Sequence, residues 1–178
     1  MREILIVVDM QTDFIDGSLG SADAVAITGN AVEKIRNWQG DIIVTLDTHT
    51  EQYMETAEGK KLPVSHCIKG TAGWALHPQI QDALTGKCFE AVEKPTFGSV
   101  ALPDRIRALA GDEPFSLTLI GLCTDICVVS NALLLKANFP EMPIAVDAAC
   151  CAGVTPQAHE AALRTMMSCQ IDVLNFEA

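Results

Sequence analysis

The chain has 178 residues, 49% of them apolar and 20% charged, enough for one domain with a genuine core that needs no covalent staples. Its formal net charge of −11, with no basic cluster to offset it, argues against nucleic acid or an anionic membrane surface as a partner. No apolar run approaches the roughly 18 residues of a bilayer span, and the N-terminus lacks signal-peptide length and a cleavage site, so a soluble, cytoplasmic protein is expected.

Glu3 to Val8 reads as a buried strand with Asp9 at its carboxyl end, the edge at which an open α/β sheet binds ligands. Asp13 to Gly20 is a glycine-bearing loop. The spacing predicts a helix over about Thr28 to Trp38, with Ala31, Ile35 and Trp38 on one stripe and Gly40 closing it. Asp41 to Leu46 is a second strand and runs into Asp47-Thr-His49. Residues 48–76 have little periodicity but contain three glutamates and two histidines. Loops of that length are functional or disordered, and Val64, Ile68 and Trp74 argue for order.

A short helix, His77 to Leu84, leads to a weak strand at Cys88 to Val92 and then to Lys94-Pro-Thr-Phe-Gly-Ser99. A helix over 101–110 carries Leu102, Ile106 and Leu109 on one face. Ser116 to Ile120 suits a buried strand, Gly121 breaks it, and Thr124-Asp125 offers oxygens to cap a helix from about Ile126 to Ala137. A strand at Pro143 to Val146 ends at Asp147, a helix at Pro156 to Ser168 has proline in its first turn, and Ile171 to Asn175 is a last strand. The alternation gives about six strands and an α/β fold with a mostly parallel, doubly covered sheet. With no repeat, linker or low-complexity stretch, residues 1–178 read as a single domain.

The seven cysteines are odd in number and irregular in spacing, which favours free thiols over a disulfide framework. Cys127 stands apart. It falls in the first turn of a helix that follows a strand and a sharp turn, where backbone N–H groups and the positive helix end favour a thiolate and can receive an oxyanion. In a parallel sheet, Asp9, Asp47, His49, Lys94 and the 121–127 turn share one edge. There a carboxylate can take the thiol proton, an ammonium can lower both pKa values, and a thiolate can attack a carbonyl. Composition alone favours reading Lys94 as a surface lysine before a proline, and Asp9 can equally cap a neighbouring helix or turn. Asp47-x-His49 and His66, with Glu55 and Glu58 between them, form a second group whose ligand types suit zinc, iron or manganese, although loop histidines are often simply solvated.

Val8-Asp-Met-Gln-Thr-Asp-Phe14, Asp47-Thr-His49, His66-Cys-Ile-Lys-Gly-Thr71, Lys94-Pro-Thr-Phe-Gly-Ser99 and Gly121-Leu-Cys-Thr-Asp-Ile-Cys-Val128 occur in order along almost the whole chain. In these motifs the sequence resembles the isochorismatase-like cysteine hydrolase superfamily, and most closely its nicotinamidase-related branch. The resemblance implies a three-layer α/β/α sandwich around a six-stranded, mostly parallel sheet. It implies Asp9 as general base, Lys94 as the cationic member and Cys127 as the nucleophile, which attacks an amide carbon, expels ammonia or an amine and forms a thioester. It also implies an oxyanion hole from the backbone amides of Cys123 and Cys127, a cis peptide between Leu122 and Cys123, and Asp125 as the residue that orients the turn.

By the same resemblance Asp47, His49 and His66 hold a divalent metal, zinc first and manganese or iron as alternatives, that anchors a ring nitrogen. Glu58 is the first choice for the further ligand and Glu55 the second. Phe14 is available for ring stacking, with Trp74 and Phe97 as further pocket residues. Pro63 stands where many members of that branch have an aromatic residue. The implied activity is hydrolysis of a small amide, nicotinamide to nicotinate and ammonia, by a homo-oligomeric enzyme. The alternatives are another small amide or a ureido (N-carbamoyl) compound. From a different class comes a non-catalytic or redox-responsive binding protein, suggested by Cys123 near Cys127 and by the pair Cys150-Cys151.

Overall fold

Strand β1 (Arg2–Val8) lies at the middle of the sheet, and its alternate side chains feed two separate cores. Leu5 and Val7 pack with Ala31, Ile35, Ile80 and Leu84 on one face, whereas Ile4, Ile6 and Val8 pack with Leu102, Ile106, Leu135 and Leu163 on the other. Both faces are covered, which is why the strand reads as a continuous apolar run without polar alternation.

The computed structural model describes residues 1–176. After β1 the chain forms α1 (Thr12–Ile15), α2 (Ala22–Asn37) and β2 (Asp41–Asp47), then α3 (Ala57–Lys61), α4 (Pro78–Ala83) and β3 (Phe89–Lys94). It continues through α5 (Leu102–Ala110), β4 (Phe115–Leu122), α6 (Val129–Asn138), β5 (Ile144–Ala152), α7 (Pro156–Ser168) and β6 (Asp172–Leu174). The six strands are all parallel in the order β3-β2-β1-β4-β5-β6. The chain thus winds outward from β1 to β3, returns to the far side of β1 and winds outward again. The crevice where that order reverses, at the carboxyl ends of β1 and β4, is where such sheets bind ligands.

Several boundaries differ from the sequence-based reading. Helix α2 begins at Ala22, not Thr28, because the Ser21 side chain accepts from the Ala24 N–H at 3.1 Å and Asp23 sits favourably in the first turn. Thr28 lies inside the helix and returns its hydroxyl to the Ala24 carbonyl at 2.8 Å. Strand β5 does not end at Val146; it runs to Ala152 through the apolar stretch after Asp147. Asp147 is therefore a buried mid-strand residue, held by Lys34 Nζ at 2.9 Å and Asn175 Nδ2 at 2.8 Å. Gly121 does not break β4 but stays within it at φ 119°, registered against Val8. A Cβ there would overlap the Val8 carbonyl oxygen, so only glycine lets β4 lie this close to β1 beside the crevice. Residues 48–76 are ordered and include a short 3-10 turn at Tyr53–Glu55 as well as α3. Among the described residues no helix is long and apolar enough to cross a membrane.

Candidate active site

Asp9, Lys94 and Cys127 come together at the reversal of strand order, brought there by the carboxyl ends of β1 and β3 and by a π-helical turn, Thr124–Val128, that follows β4. Lys94 is 1% exposed, so it is no surface lysine. Its Nζ lies 2.6 Å from Asp9 Oδ2 and donates to the Thr96 carbonyl at 3.1 Å, to Asp47 Oδ1 at 3.4 Å and to Cys127 Sγ at 3.5 Å. The ammonium is thus the common neighbour of two carboxylates and a thiol.

Burial alone would discharge this lysine, but Asp9, then Cys127 and Asp47, outweigh it and hold the ammonium charged above its ordinary range. Burial also pushes the Asp9 carboxyl up, and although Lys94 opposes this, the nearby Asp47 charge adds to it. Asp9 is therefore a better proton acceptor than a solvated aspartate. The Cys127 thiol goes the opposite way from the expectation for a helix start: burial and then Asp9 push it well above its ordinary value, with Lys94 resisting.

Three polar residues that the sequence reading did not single out fix this geometry. Thr45 lies opposite Val8 on β2 and donates its hydroxyl to Asp9 Oδ1 at 2.6 Å. Gln11 is fully buried and uses its carboxamide as a backbone mimic: Oε1 accepts from the Asp47 N–H at 2.7 Å, while Nε2 donates to the Asp47 carbonyl at 2.9 Å and the Trp74 carbonyl at 2.7 Å. Asn131, on α6, donates to the Cys127 carbonyl at 2.8 Å and the Phe97 carbonyl at 3.2 Å, and accepts from the Ser99 N–H at 2.8 Å. It ties the loop after Lys94 to the turn that bears the thiol. Asp125 accepts from the Val154 N–H at 2.9 Å, joining that turn to the end of β5. The peptide between Leu122 and Cys123 is cis.

Beside Lys94, Asp47 faces a second group. Its Oδ2 lies 3.0 Å from His49 Nε2 and 3.5 Å from His66 Nε2, and Glu58 Oε1 lies 3.7 Å from each ring nitrogen. Burial would raise Asp47, but the adjacent His49 and His66 rings and the Lys94 ammonium overcome it and hold its carboxyl well below the usual range. His66 Nδ1 meets the Val64 carbonyl at 2.8 Å; a carbonyl can only accept, so Nδ1 carries a proton and Nε2 is the nitrogen turned toward Asp47 and Glu58. His49 Nε2 is buried without a properly aligned hydrogen-bond partner. One ligand atom each from Asp47, His49 and His66 lies within 4.8 Å of the others. Two imidazole nitrogens, one of them orphaned in the interior, and a carboxylate fit a divalent ion such as zinc. Glu58 is the nearer of the two glutamates considered; Glu55 lies exposed in the 3-10 turn.

The two groups open on one cavity of about 450 Å³. Its lining includes Asp47, Glu58, His66, Cys123 and Cys127, and also Phe14 and Phe97. Trp74 is not brought to it: the indole donates to Thr48 Oγ1 at 2.9 Å and packs against the core on the Leu5 face.

A model of the isochorismatase domain family matches residues 3–178. The chain belongs to that family. Its relatives place it with the nicotinamidase-related members. Nicotinamidase/pyrazinamidase of Mycobacterium tuberculosis is 26% identical over 96% of this chain and 97% of that one. Among solved structures, nicotinamidase/pyrazinamidase PncA of Bacillus subtilis superposes with a TM-score of 0.86 at 24% identity, covering 98% of this chain and 100% of that one. Pyrazinamidase of Pyrococcus horikoshii, crystallised in complex with zinc, gives a TM-score of 0.77 at 24% identity over 99% and 100% of the two chains. These superpositions match the covered six-stranded parallel sheet, the isochorismatase-like α/β fold.

Proposed function

We propose that this protein is a cysteine amidohydrolase that hydrolyses a small aromatic amide, nicotinamide first among them, to the carboxylic acid and ammonia. The observation that carries the reading is the buried ammonium of Lys94 in contact with Asp9, Cys127 and Asp47, the last two of which line one cavity. Family membership and the names of the relatives agree with it.

In this reading Cys127 gives its proton to Asp9, whose burial has raised its affinity for one, as the sulfur adds to the amide carbon. Lys94 offsets the charge that develops on sulfur. The carbonyl oxygen becomes an oxyanion received by the backbone N–H groups of Cys123 and Cys127. Asp9 then protonates the amide nitrogen, the C–N bond breaks, ammonia leaves and a thioester remains on Cys127. A water that loses its proton to Asp9 attacks the thioester, the acid leaves, and Asp9 returns the proton to sulfur. Asp47, His49, His66 and Glu58 are the residues that would hold a divalent metal, zinc first. Bound there, the ion supplies a Lewis-acidic anchor for a ring nitrogen or a water.

Ammonia release from nicotinamide by the purified protein tests this, with and without a chelator and with zinc or manganese restored. Release that the chelator stops and the metal restores is expected. No release with any metal overturns nicotinamide as the substrate.

A further inference from the structure

We infer that the cavity has a subsite for an uncharged apolar substituent, so that its preferred substrates are aromatic amides larger than a bare ring carboxamide. This rests on the amidohydrolase reading of the same site.

A cavity of about 150 Å³ is enough to take benzene. The one above Cys127 is about 450 Å³, far more than one ring fills. Its charged lining is confined to Asp47, Glu58 and His66, the side occupied by the proposed metal ligands. The remaining wall contains Leu19, Ala24, Leu62, Phe97, Ile126 and Val154, with no charged side chain among the other lining residues. Apart from the Ser18 and Ser21 hydroxyls that wall is apolar and offers no charge to pair a charged substituent, whereas an apolar one finds matching surface.

Exposure sharpens the placement. Leu62, Phe97 and Val154 line this cavity yet are 38%, 46% and 60% exposed. They come from three separate segments: the residue after α3, the loop after β3 and the loop after β5. Three large apolar side chains converging on one mouth, each half-open to water, form a surface that a substituent pointing outward from the ring would cover. Polar chemistry at the base and an apolar collar at the mouth select a ligand with the same division.

The test compares nicotinamide with analogues carrying methyl, propyl, phenyl or carboxylate groups on the free meta carbon of the ring. Binding is measured by calorimetry on zinc-loaded Cys127→Ala protein, and ammonia release on the wild type. The propyl and phenyl analogues are expected to bind at least about tenfold tighter than nicotinamide, the methyl analogue in between, and the carboxylate no tighter. The gain should shrink severalfold in a Phe97→Ser, Val154→Ser double variant of the Cys127→Ala protein. Substituted analogues that bind no tighter than nicotinamide, or a gain untouched by the double variant, overturn the subsite. Ammonia released from nicotinamide alongside that result leaves the amidase reading standing. Tight binding of the propyl analogue with no ammonia from any amide supports the subsite and overturns the amidase reading instead.

Discussion

Lys94 and Asp47 are register partners at the ends of β3 and β2, and Lys94 Nζ lies 3.4 Å from Asp47 Oδ1 while Asp47 Oδ2 faces His49 and His66. One carboxylate therefore joins the proton-handling group to the imidazole group, and one lysine neutralises the junction. Replacing Lys94 by Met leaves Asp9 and Asp47 buried with no cation between them. Loss of one partner from a buried pair costs about 3–5 kcal/mol. We expect a loss of that order in urea denaturation and no measurable turnover, with Lys94→Arg failing to restore activity because a planar fork cannot occupy the position of a compact ammonium. A Lys94→Met protein as stable as wild type would contradict this.

Asp9 raises the Cys127 thiol and Lys94 lowers it, so Asp9→Asn should separate reactivity from catalysis. In the wild type, alkylation of Cys127 by iodoacetamide should rise with pH and reach half its maximum above the ordinary thiol value of about 8.5. Removing the Asp9 charge leaves Lys94 beside the sulfur, so in Asp9→Asn the midpoint should fall and labelling at neutral pH should quicken severalfold while turnover is lost. An unchanged or raised midpoint would rule out the charge balance described here. The linkage runs the same way. A thiol that holds its proton more tightly folded than unfolded makes folding stability fall as pH rises through the ordinary thiol range.

Gln11 clamps both backbone groups of Asp47. Gln11→Leu removes the clamp and leaves a buried N–H and carbonyl unpaired, a loss of about 1–3 kcal/mol. Supporting contacts of this kind typically govern metal affinity by about 10–100-fold. Zinc competition against a chromophoric chelator should show weakening in that range. Unchanged zinc affinity in a folded Gln11→Leu protein would remove Gln11 from the account.

Gly121 lies where a Cβ meets the Val8 carbonyl, at φ 119°. Gly121→Ala must therefore push β4 away from β1, next to Asp9. Overpacking and an incompatible backbone together should cost about 1–3 kcal/mol or more, seen as a lower denaturation midpoint. A neutral substitution would show that the strands can separate freely here.

How far the sequence revealed these arrangements depended on where each residue's partners lie. Asp9 and Asp47 could be placed at one edge because an apolar run ending in a charged residue marks a strand's carboxyl end, and parallel strands align those ends. Gln11, Thr45 and Asn131 gave no such signal, since the hydrogen bonds that tie them to the site include ones to groups more than 30 residues away. A lone polar residue within Ile42-Ile-Val-Thr45-Leu46 was the one available hint for Thr45. Trp74 was rightly read as ordered, but composition says nothing of direction, and its indole turns to Thr48. The start of α2 was missed because its first turns depend on the Ser21 cap more than on an apolar stripe. At Cys127 the helix start is visible in the sequence, whereas the burial and the neighbouring Asp9 that push the thiol up are not.

The chemistry at Cys127 is the centre of the account, and rapid-quench mass spectrometry of the zinc-loaded protein turning over nicotinamide tests it most directly. The account predicts an acyl adduct with the mass of a nicotinoyl group on the peptide containing Cys127, localised to that sulfur and not to Cys123, and no adduct or ammonia with Cys127→Ala. Steady turnover with Cys127 unmodified throughout, or ammonia release retained by a folded Cys127→Ala protein, would contradict it.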